Sequence, residues 1–365
     1  SAMDGFATVA AATEGASLYN PLTFRVIGEA LPGMRFKGRI DPETTIRIMT
    51  GAPVPPGADC VVPAEHATEA DGHVELTRPM PTGRHIGRRG EDAQAGQTIL
   101  TAGRRLRPQD LGLLSSVGCE TAPVHSRPRV RLLVTGNELV VPGRDRDSDQ
   151  IYESNSSMLA ALVSRDGGLL ENNQPVEAVP DDRKAIADEL SREGVEVILV
   201  SGGSSVGTED HAPGLLSELG EITFHGLAMR PSSPAGMGRI GKALVFLLPG
   251  NPVSCLCAYD FFAGEAIRRL CGDSPTWPYR PIDGQLSQKI TSDIGRLDYV
   301  RVRVTSGVPH QVEPLALSGA SILSSTTRAD GFVIVPVSLE GYPEEAPVQV
   351  WCYSAPPPLP VETHD

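Results

Sequence analysis

Val195-Glu196-Val197-Ile198-Leu199-Val200-Ser201-Gly202-Gly203-Ser204-Ser205-Val206-Gly207 is a nearly continuous apolar run that stops on a loop of glycines and serines. An apolar run of strand length without alternation predicts a strand buried on both faces, as in a parallel sheet covered by helices. The surrounding chain repeats this grammar. Val130-Arg131-Leu132-Leu133-Val134, Ile222-Thr223-Phe224 and Ala243-Leu244-Val245-Phe246-Leu247-Leu248 predict further strands. Ile151 to Asp166, Asp182 to Arg192, a segment after Asp210, and Val253 to Leu270 predict helices. Strands alternating with helices give an α/β domain with a doubly wound, mostly parallel sheet, assigned to residues 127–272.

The flanks read differently. Residues 1–84 carry short β-prone runs such as Thr45-Ile46-Arg47-Ile48-Met49, separated by turn signals such as Val54-Pro55-Pro56-Gly57, and predict a small β-rich domain. Residues 85–126 form a connector with a short helix over Gln109 to Val117 that stops at Gly118. Residues 273–365 return to alternating runs such as Tyr299-Val300-Arg301-Val302-Arg303-Val304 and predict a C-terminal β-barrel-like domain. An α/β multidomain fold suits a chain of 365 residues, which exceeds what one core organises.

With 40% hydrophobic and 21% charged residues, the composition is that of an ordinary globular protein. No apolar stretch approaches the roughly 20 residues that span a bilayer. A net charge of −13 argues against a general nucleic-acid surface, so an anionic ligand must be held by local donors. The six cysteines show neither CxxC nor zinc-type spacing and predict buried free thiols in a reducing cytoplasm.

In an open parallel sheet, ligands sit outside the carboxyl ends of the strands. Three segments turn on glycine at that edge: Thr135-Gly136-Asn137-Glu138-Leu139, Ser201 to Asp210, and Leu248-Pro249-Gly250-Asn251-Pro252-Val253-Ser254. They should converge on one crevice. Ser201 to Gly207 could be a flexible turn, but its glycines also allow a backbone nest that approaches phosphate oxygens. Pro249 to Pro252 reads equally well as turn chemistry leading into a helix. Glu138 and Asp210 sit at the ligand edge, where a phosphate-bearing substrate in an acidic protein calls for Mg²⁺. Asp181-Asp182 is equally explained as a helix start, and Asp4 and Asp92, from spacing alone, as solvated turn residues.

Six stretches taken together carry a resemblance: Ser1-Ala2-Met3-Asp4-Gly5-Phe6-Ala7, Arg47-Ile48-Met49-Thr50-Gly51-Ala52-Pro53, Arg88-Arg89-Gly90-Glu91-Asp92, and the three loop motifs above. In this order they resemble the MoeA/gephyrin E-domain family of molybdopterin molybdenumtransferases over nearly the whole chain. The resemblance implies an enzyme that inserts molybdate into adenylylated molybdopterin with Mg²⁺ and release of AMP. It implies a homodimer whose sites combine Asp4, Thr50 and Asp92 of one subunit with Glu138, Asp182 and Asp210 of the other. A molybdopterin adenylyltransferase is a further implied partner, and the connector's N-terminal portion is implied to precede Ser1.

On the same resemblance, Asp4, Asp92, Glu138, Asp182 and Asp210 are the catalytic candidates, with Glu138 and Asp210 as candidate holders of Mg²⁺. Substrate contacts are implied for Thr50, Arg89, Thr135, Gly136, Ser201, Gly202, Gly203, Ser204, Ser205, Gly207, Arg230, Ser233, Pro249, Gly250, Asn251, Pro252 and Ser254. The sequence departs from the family at Arg230-Pro231-Ser232-Ser233-Pro234, where members carry Lys-Pro-Gly-Lys-Pro. The missing second lysine motivates the alternative of a non-catalytic pterin carrier or scaffold. Neither G-x-G-x-x-G after the first strand nor G-x-x-x-x-G-K-[ST] is present, which sets aside a dehydrogenase or kinase.

Overall fold

The Val197–Ser201 strand lies inside a six-stranded sheet and is buried along its whole length. The strand order is Leu169–Leu170, Arg129–Val134, Val197–Ser201, Ala243–Leu248, Gly236–Ile240, Glu221–His225. The first four strands run parallel, and the last two are added antiparallel, so the sheet is mixed. The structure, a computed structural model, describes residues 1–171, 176–203, 211–316, 319–355 and 357. The chain divides into two compact units, Ser1–Thr101 and Ala102 onward, a cut that falls inside the 85–126 segment.

Both faces of the central sheet are covered. One layer packs Leu159, Val163, Leu256, Tyr259 and Ile267 against Val130, Leu132 and Leu199; the other packs Ile186, Leu190, Leu215 and Leu216 against Leu133, Val200 and Leu247. Each such side chain contributes roughly 1.5–3 kcal/mol through burial. This two-sided demand explains the unbroken apolar run. Arg131, also on a central strand, is fully buried and donates to Glu171 Oε2 at 2.6 Å and to the carbonyls of Glu189 and Glu193.

Two helices differ from their sequence reading. The helix expected from Ile151 begins at Asn155 and runs to Arg165; Ile151–Tyr152 instead pairs in parallel with Leu139–Val140. The expected Val253–Leu270 helix is α-helical over Pro252–Ala258 and Gly264–Leu270, with a π turn at Tyr259–Ala263 between. Asp260 on that turn accepts from Arg165 at 3.0 Å and from the Tyr279 hydroxyl at 2.8 Å.

The C-terminal strands close on themselves. Leu297–Thr305, His310–Ala316, Arg280–Leu286, Pro347–Cys352 and Gly331–Val335 follow one another, and the last pairs back onto the first, making a five-stranded barrel. Closure removes the free sheet edges that invite aggregation. The short Met229–Arg230 strand adds to Leu297–Thr305 in parallel, joining the α/β region to the barrel.

Unit Ser1–Thr101 holds its own six-stranded sheet, ordered Cys60–Pro63, Gly5–Thr8, Thr44–Ile48, Leu22–Ala30, His73–Leu76, Ala67–Ala70. Gly5 is required there, because a Cβ would stand 1.9 Å from the Val62 carbonyl oxygen.

Candidate functional site

Three strand ends build the site. Arg129–Val134 runs into Thr135-Gly136, Val197–Ser201 into Gly202-Gly203, and Ala243–Leu248 into Pro249-Gly250-Asn251-Pro252. All of these loop residues line one cavity of about 570 Å³, together with Glu138, Glu153, Asn155, Asp181, Pro234 and Ser321. The three loops therefore converge at the carboxyl edge of the sheet, where the alternation of strand and helix leaves a crevice.

The turns depend on glycine. Gly202 and Gly203 have φ of +94° and +56°, and a Cβ on Gly202 would lie 2.4 Å from the Thr135 carbonyl oxygen. Successive residues of this kind turn backbone N–H groups toward one concavity. At Gly136 the φ is +153°, and a Cβ would meet Glu138 Oε2 at 2.8 Å, so the glycine lets that carboxylate fold back over the turn.

Polar bonds then lock the loops together. The Asn137 N–H donates to Asp181 Oδ2 and the Asp181 N–H to Asn137 Oδ1, each at 3.2 Å. The Asn155 carboxamide nitrogen donates to Ser201 Oγ at 2.9 Å and to the Gly250 carbonyl at 2.8 Å. Glu153 accepts from the Ser156 N–H at 2.8 Å and from its hydroxyl, anchoring the start of the Asn155–Arg165 helix. The barrel side also contributes, for the Val253 N–H donates to the Ala320 carbonyl at 2.9 Å beside Ser321.

Electrostatically the cavity is acidic. Glu138, Glu153 and Asp181 line it, and no lysine, arginine or histidine does among the described residues. Arg230, expected to face the substrate, instead pairs with buried Asp298 on the barrel, Nε to Oδ1 at 3.0 Å. Its short strand turns it toward that carboxylate, and it does not line the cavity. Ser233 and Ser254 are not lining residues either; the Ser233 carbonyl accepts from the Leu227 N–H, and the Ser254 carbonyl from the buried Ser232 hydroxyl. Asp182 caps the Arg183–Ser191 helix, accepting from the Ala185 N–H at 2.9 Å, whereas its neighbour Asp181 reaches the cavity.

Ser204, Ser205, Gly207 and Asp210 lie outside the described residues. In the first unit, Asp4 Oδ1 accepts from the Thr50 N–H at 2.6 Å and from the Thr50 hydroxyl at 2.7 Å. These bonds hold the Asp4 carboxyl below the usual carboxylate range, the backbone bond first. Arg89 and Asp92 are exposed in the same unit.

Cysteine chemistry finds no support at the cavity. Cys255, which contacts Ser201 Oγ at 3.9 Å, is fully buried, and burial pushes its thiol up to about 12. All six cysteines are free thiols. Among the described residues, no helix is long and apolar enough to cross a membrane.

Asn155 and Glu153 are cavity-lining residues that the motifs did not single out, and Asp181, weighed as a helix start, lines the cavity as well. No local signal marks Asn155: it opens the helix, but its side chain bonds Ser201 and Gly250 across the fold.

A doubly covered α/β sheet with glycine loops around an acidic crevice, joined to a small barrel, defines a multidomain α/β class with a ligand-sized crevice at the carboxyl edge of its central sheet. Family models match in the same order: "MoeA N-terminal region (domain I and II)" over residues 1–118, "Probable molybdopterin binding domain" over 131–269, and "MoeA C-terminal region (domain IV)" over 283–353. Molybdopterin molybdenumtransferase 2 of Mycobacterium tuberculosis is 35% identical over 96% of this chain and 87% of its own length. The molybdopterin molybdenumtransferase of Bacillus subtilis is 32% identical over 95% and 82%. The crystal structure of the molybdopterin biosynthesis MoeA protein from Pyrococcus horikosii superposes with a TM-score of 0.78 at 28% identity, covering 97% of this chain and 87% of that one. The chain belongs to the MoeA family of molybdopterin molybdenumtransferases.

Proposed function

We propose that this protein is a molybdopterin molybdenumtransferase that takes adenylylated molybdopterin and molybdate and releases AMP. The observation that carries the reading is the cavity formed by Thr135-Gly136, Ser201 to Gly203 and Pro249 to Pro252. Water attacks phosphorus, the phosphoanhydride bond breaks, and AMP leaves; two Mo–S bonds form to the dithiolene as two Mo–O bonds of molybdate break, and the two thiol protons with two protons from solvent carry those oxygens off as water. Backbone N–H groups of the glycine loops hold anionic oxygens, and Glu138 orients the attacking water by positioning and electrostatics.

The cavity's side-chain donors are hard oxygens, which suit Mg²⁺. Among the described residues no group of three or more His, Cys, Asp or Glu is assembled for a metal. One or two carboxylates suffice to bind Mg²⁺ where substrate phosphates supply the remaining ligands. Glu138 and Asp210 are the proposed holders, Asp210 lying outside the described residues; the ion would neutralise phosphate charge. The same reading includes a cytoplasmic homodimer whose second copy supplies Asp4, Thr50 and Asp92, Arg89 as a substrate contact, a four-part division at residues 84, 126 and 272, and an adenylyltransferase as the source of substrate.

Single-turnover conversion of adenylylated molybdopterin with Mg²⁺ tests the proposal. AMP release should require molybdate, and Glu138→Gln should slow it at least about 100-fold with an unchanged melting temperature. Tight binding without turnover in the parent protein would point to a carrier.

A further inference from the structure

The parallel pairing of Val197–Ser201 with Ala243–Leu248 ends at Ser201 and Leu248, with a last bond from the Gly202 N–H to the Leu248 carbonyl at 3.3 Å. Past that pair the strand register stops, and Gly202-Gly203 and Pro249 to Pro252 line the cavity. A side chain from a third element bridges them. Asn155 Nδ2 donates to Ser201 Oγ at 2.9 Å and to the Gly250 carbonyl at 2.8 Å. The Gly250 carbonyl can only accept, so the carboxamide nitrogen must face it, and both of its N–H groups are used.

The bridge stands on a stiff base. Asn155 is only 6% exposed and is the first residue of the Asn155–Arg165 helix. Glu153 fixes the start of that helix through the Ser156 N–H. Arg165 fixes its end, donating to Asp166 at 2.8 Å, Asp260 at 3.0 Å and the Tyr279 hydroxyl at 2.6 Å. The loop on the other side is soft, because a glycine permits a wide range of φ and ψ and leaves its carbonyl free to turn unless a donor holds it. In a trans peptide the carbonyl and the following N–H point in opposite directions, so the bond from Asn155 to Gly250 also sets the direction of the Asn251 N–H.

We propose that Asn155 is a positioning residue: acting through Ser201 and Gly250, it sets the spacing of the two loops and the direction of the Gly250-Asn251 peptide, so that the crevice is shaped before its ligand arrives. This rests on the reading of the cavity as the molybdopterin site. The role requires a donor at this place, and a side chain of the right size is not enough. Aspartate has the shape of asparagine, but when ionised it offers only acceptors. The Ser201 hydroxyl can turn and donate to it, whereas the Gly250 carbonyl is left facing a carboxylate oxygen. Protonation restores one donor. Burial raises the pH at which that happens, and the carboxylates Glu138, Glu153 and Asp181 on the same cavity push it the same way.

Equilibrium binding of molybdopterin by the full chain, read as the ratio of variant to parent Kd from about pH 5 to about pH 8, tests the proposal. Asn155→Asp should bind about tenfold more weakly at the alkaline end, and the deficit should shrink severalfold on acidification. Asn155→Ala, which removes both bonds and adds no charge, should be weakened about tenfold throughout, with no recovery; it also decides the matter if the aspartate variant does not fold. Gly250→Leu, whose Cβ would stand 3.5 Å from the Gly202 Cα, is the control for the cavity and should abolish binding. If Gly250→Leu abolishes binding and Asn155→Ala binds like the parent, the positioning role is wrong and the cavity reading stands. An aspartate deficit that matches the alanine one at every pH would overturn the need for a donor. A parent that does not bind, or a Gly250→Leu variant that binds like the parent, would overturn the cavity reading and this role with it.

Discussion

Asp4 and Thr50 stand 46 positions apart and meet through two bonds to one carboxylate oxygen. Because the folded carboxyl titrates below its ordinary range, its contribution to stability is present at neutral pH and is lost as pH falls through the folded value. Thr50→Val deletes the hydroxyl bond and leaves the backbone bond. The Asp4 carboxyl should then move back up toward the ordinary range, a change that carboxyl NMR titration reads directly; an unchanged titration would mean that the backbone bond alone holds it. Other residues of the cavity differ in how visible they are in the sequence. Thr135-Gly136, Ser201 to Gly203 and Pro249 to Pro252 are legible because glycine and proline at strand ends announce turns, and topology then gathers them. Asn155 carries no such mark, for its role depends on which carbonyl its nitrogen meets across the fold. Arg230 shows the converse: a cation in a motif position satisfied by Asp298, 68 residues further on.

The central strands owe their position to pieces that sequence periodicity does not report. Arg131 interrupts an apolar strand, yet it is fully buried, bonded to Glu171 and to carbonyls at the end of the Arg183–Ser191 helix. It fastens that helix to the sheet and holds the Glu171 carboxyl below its usual range. Arg131→Ala leaves those carbonyls and the carboxylate without their donor and should destabilise the protein by about 3–5 kcal/mol in chemical denaturation. A loss below about 1 kcal/mol would show that water takes over these bonds. Helix starts were the least legible elements. Ile151 to Ser154 has the composition to continue the helix upstream, but Ile151–Tyr152 is captured by Leu139–Val140. That tertiary pairing ends the helix at Asn155 and turns Glu153 and Asn155 into the cavity wall.

At the scale of the whole molecule, the α/β region and the barrel share structure within the second unit. The Met229–Arg230 strand extends the barrel sheet, and the Ala320 carbonyl caps the first turn of the Pro252–Ala258 helix beside cavity residue Ser321. Barrel closure was foreshadowed by alternating runs, whereas the parallel pairing of Arg280–Leu286 with His310–Ala316 depends on contacts that no local pattern carries. The acidic wall has a kinetic consequence. Glu138, Glu153 and Asp181 line the cavity in a chain of net charge −13, with no cationic lining residue among those described. A polyanion diffusing toward such a mouth meets repulsion where many anion-binding proteins supply attraction. Mobile ions shorten the reach of that repulsion, from about 30 Å at 0.01 M salt to about 8 Å at 0.15 M. Stopped-flow association of molybdopterin should therefore accelerate as sodium chloride is raised over this range; a rate that falls would reveal a cationic path to the site.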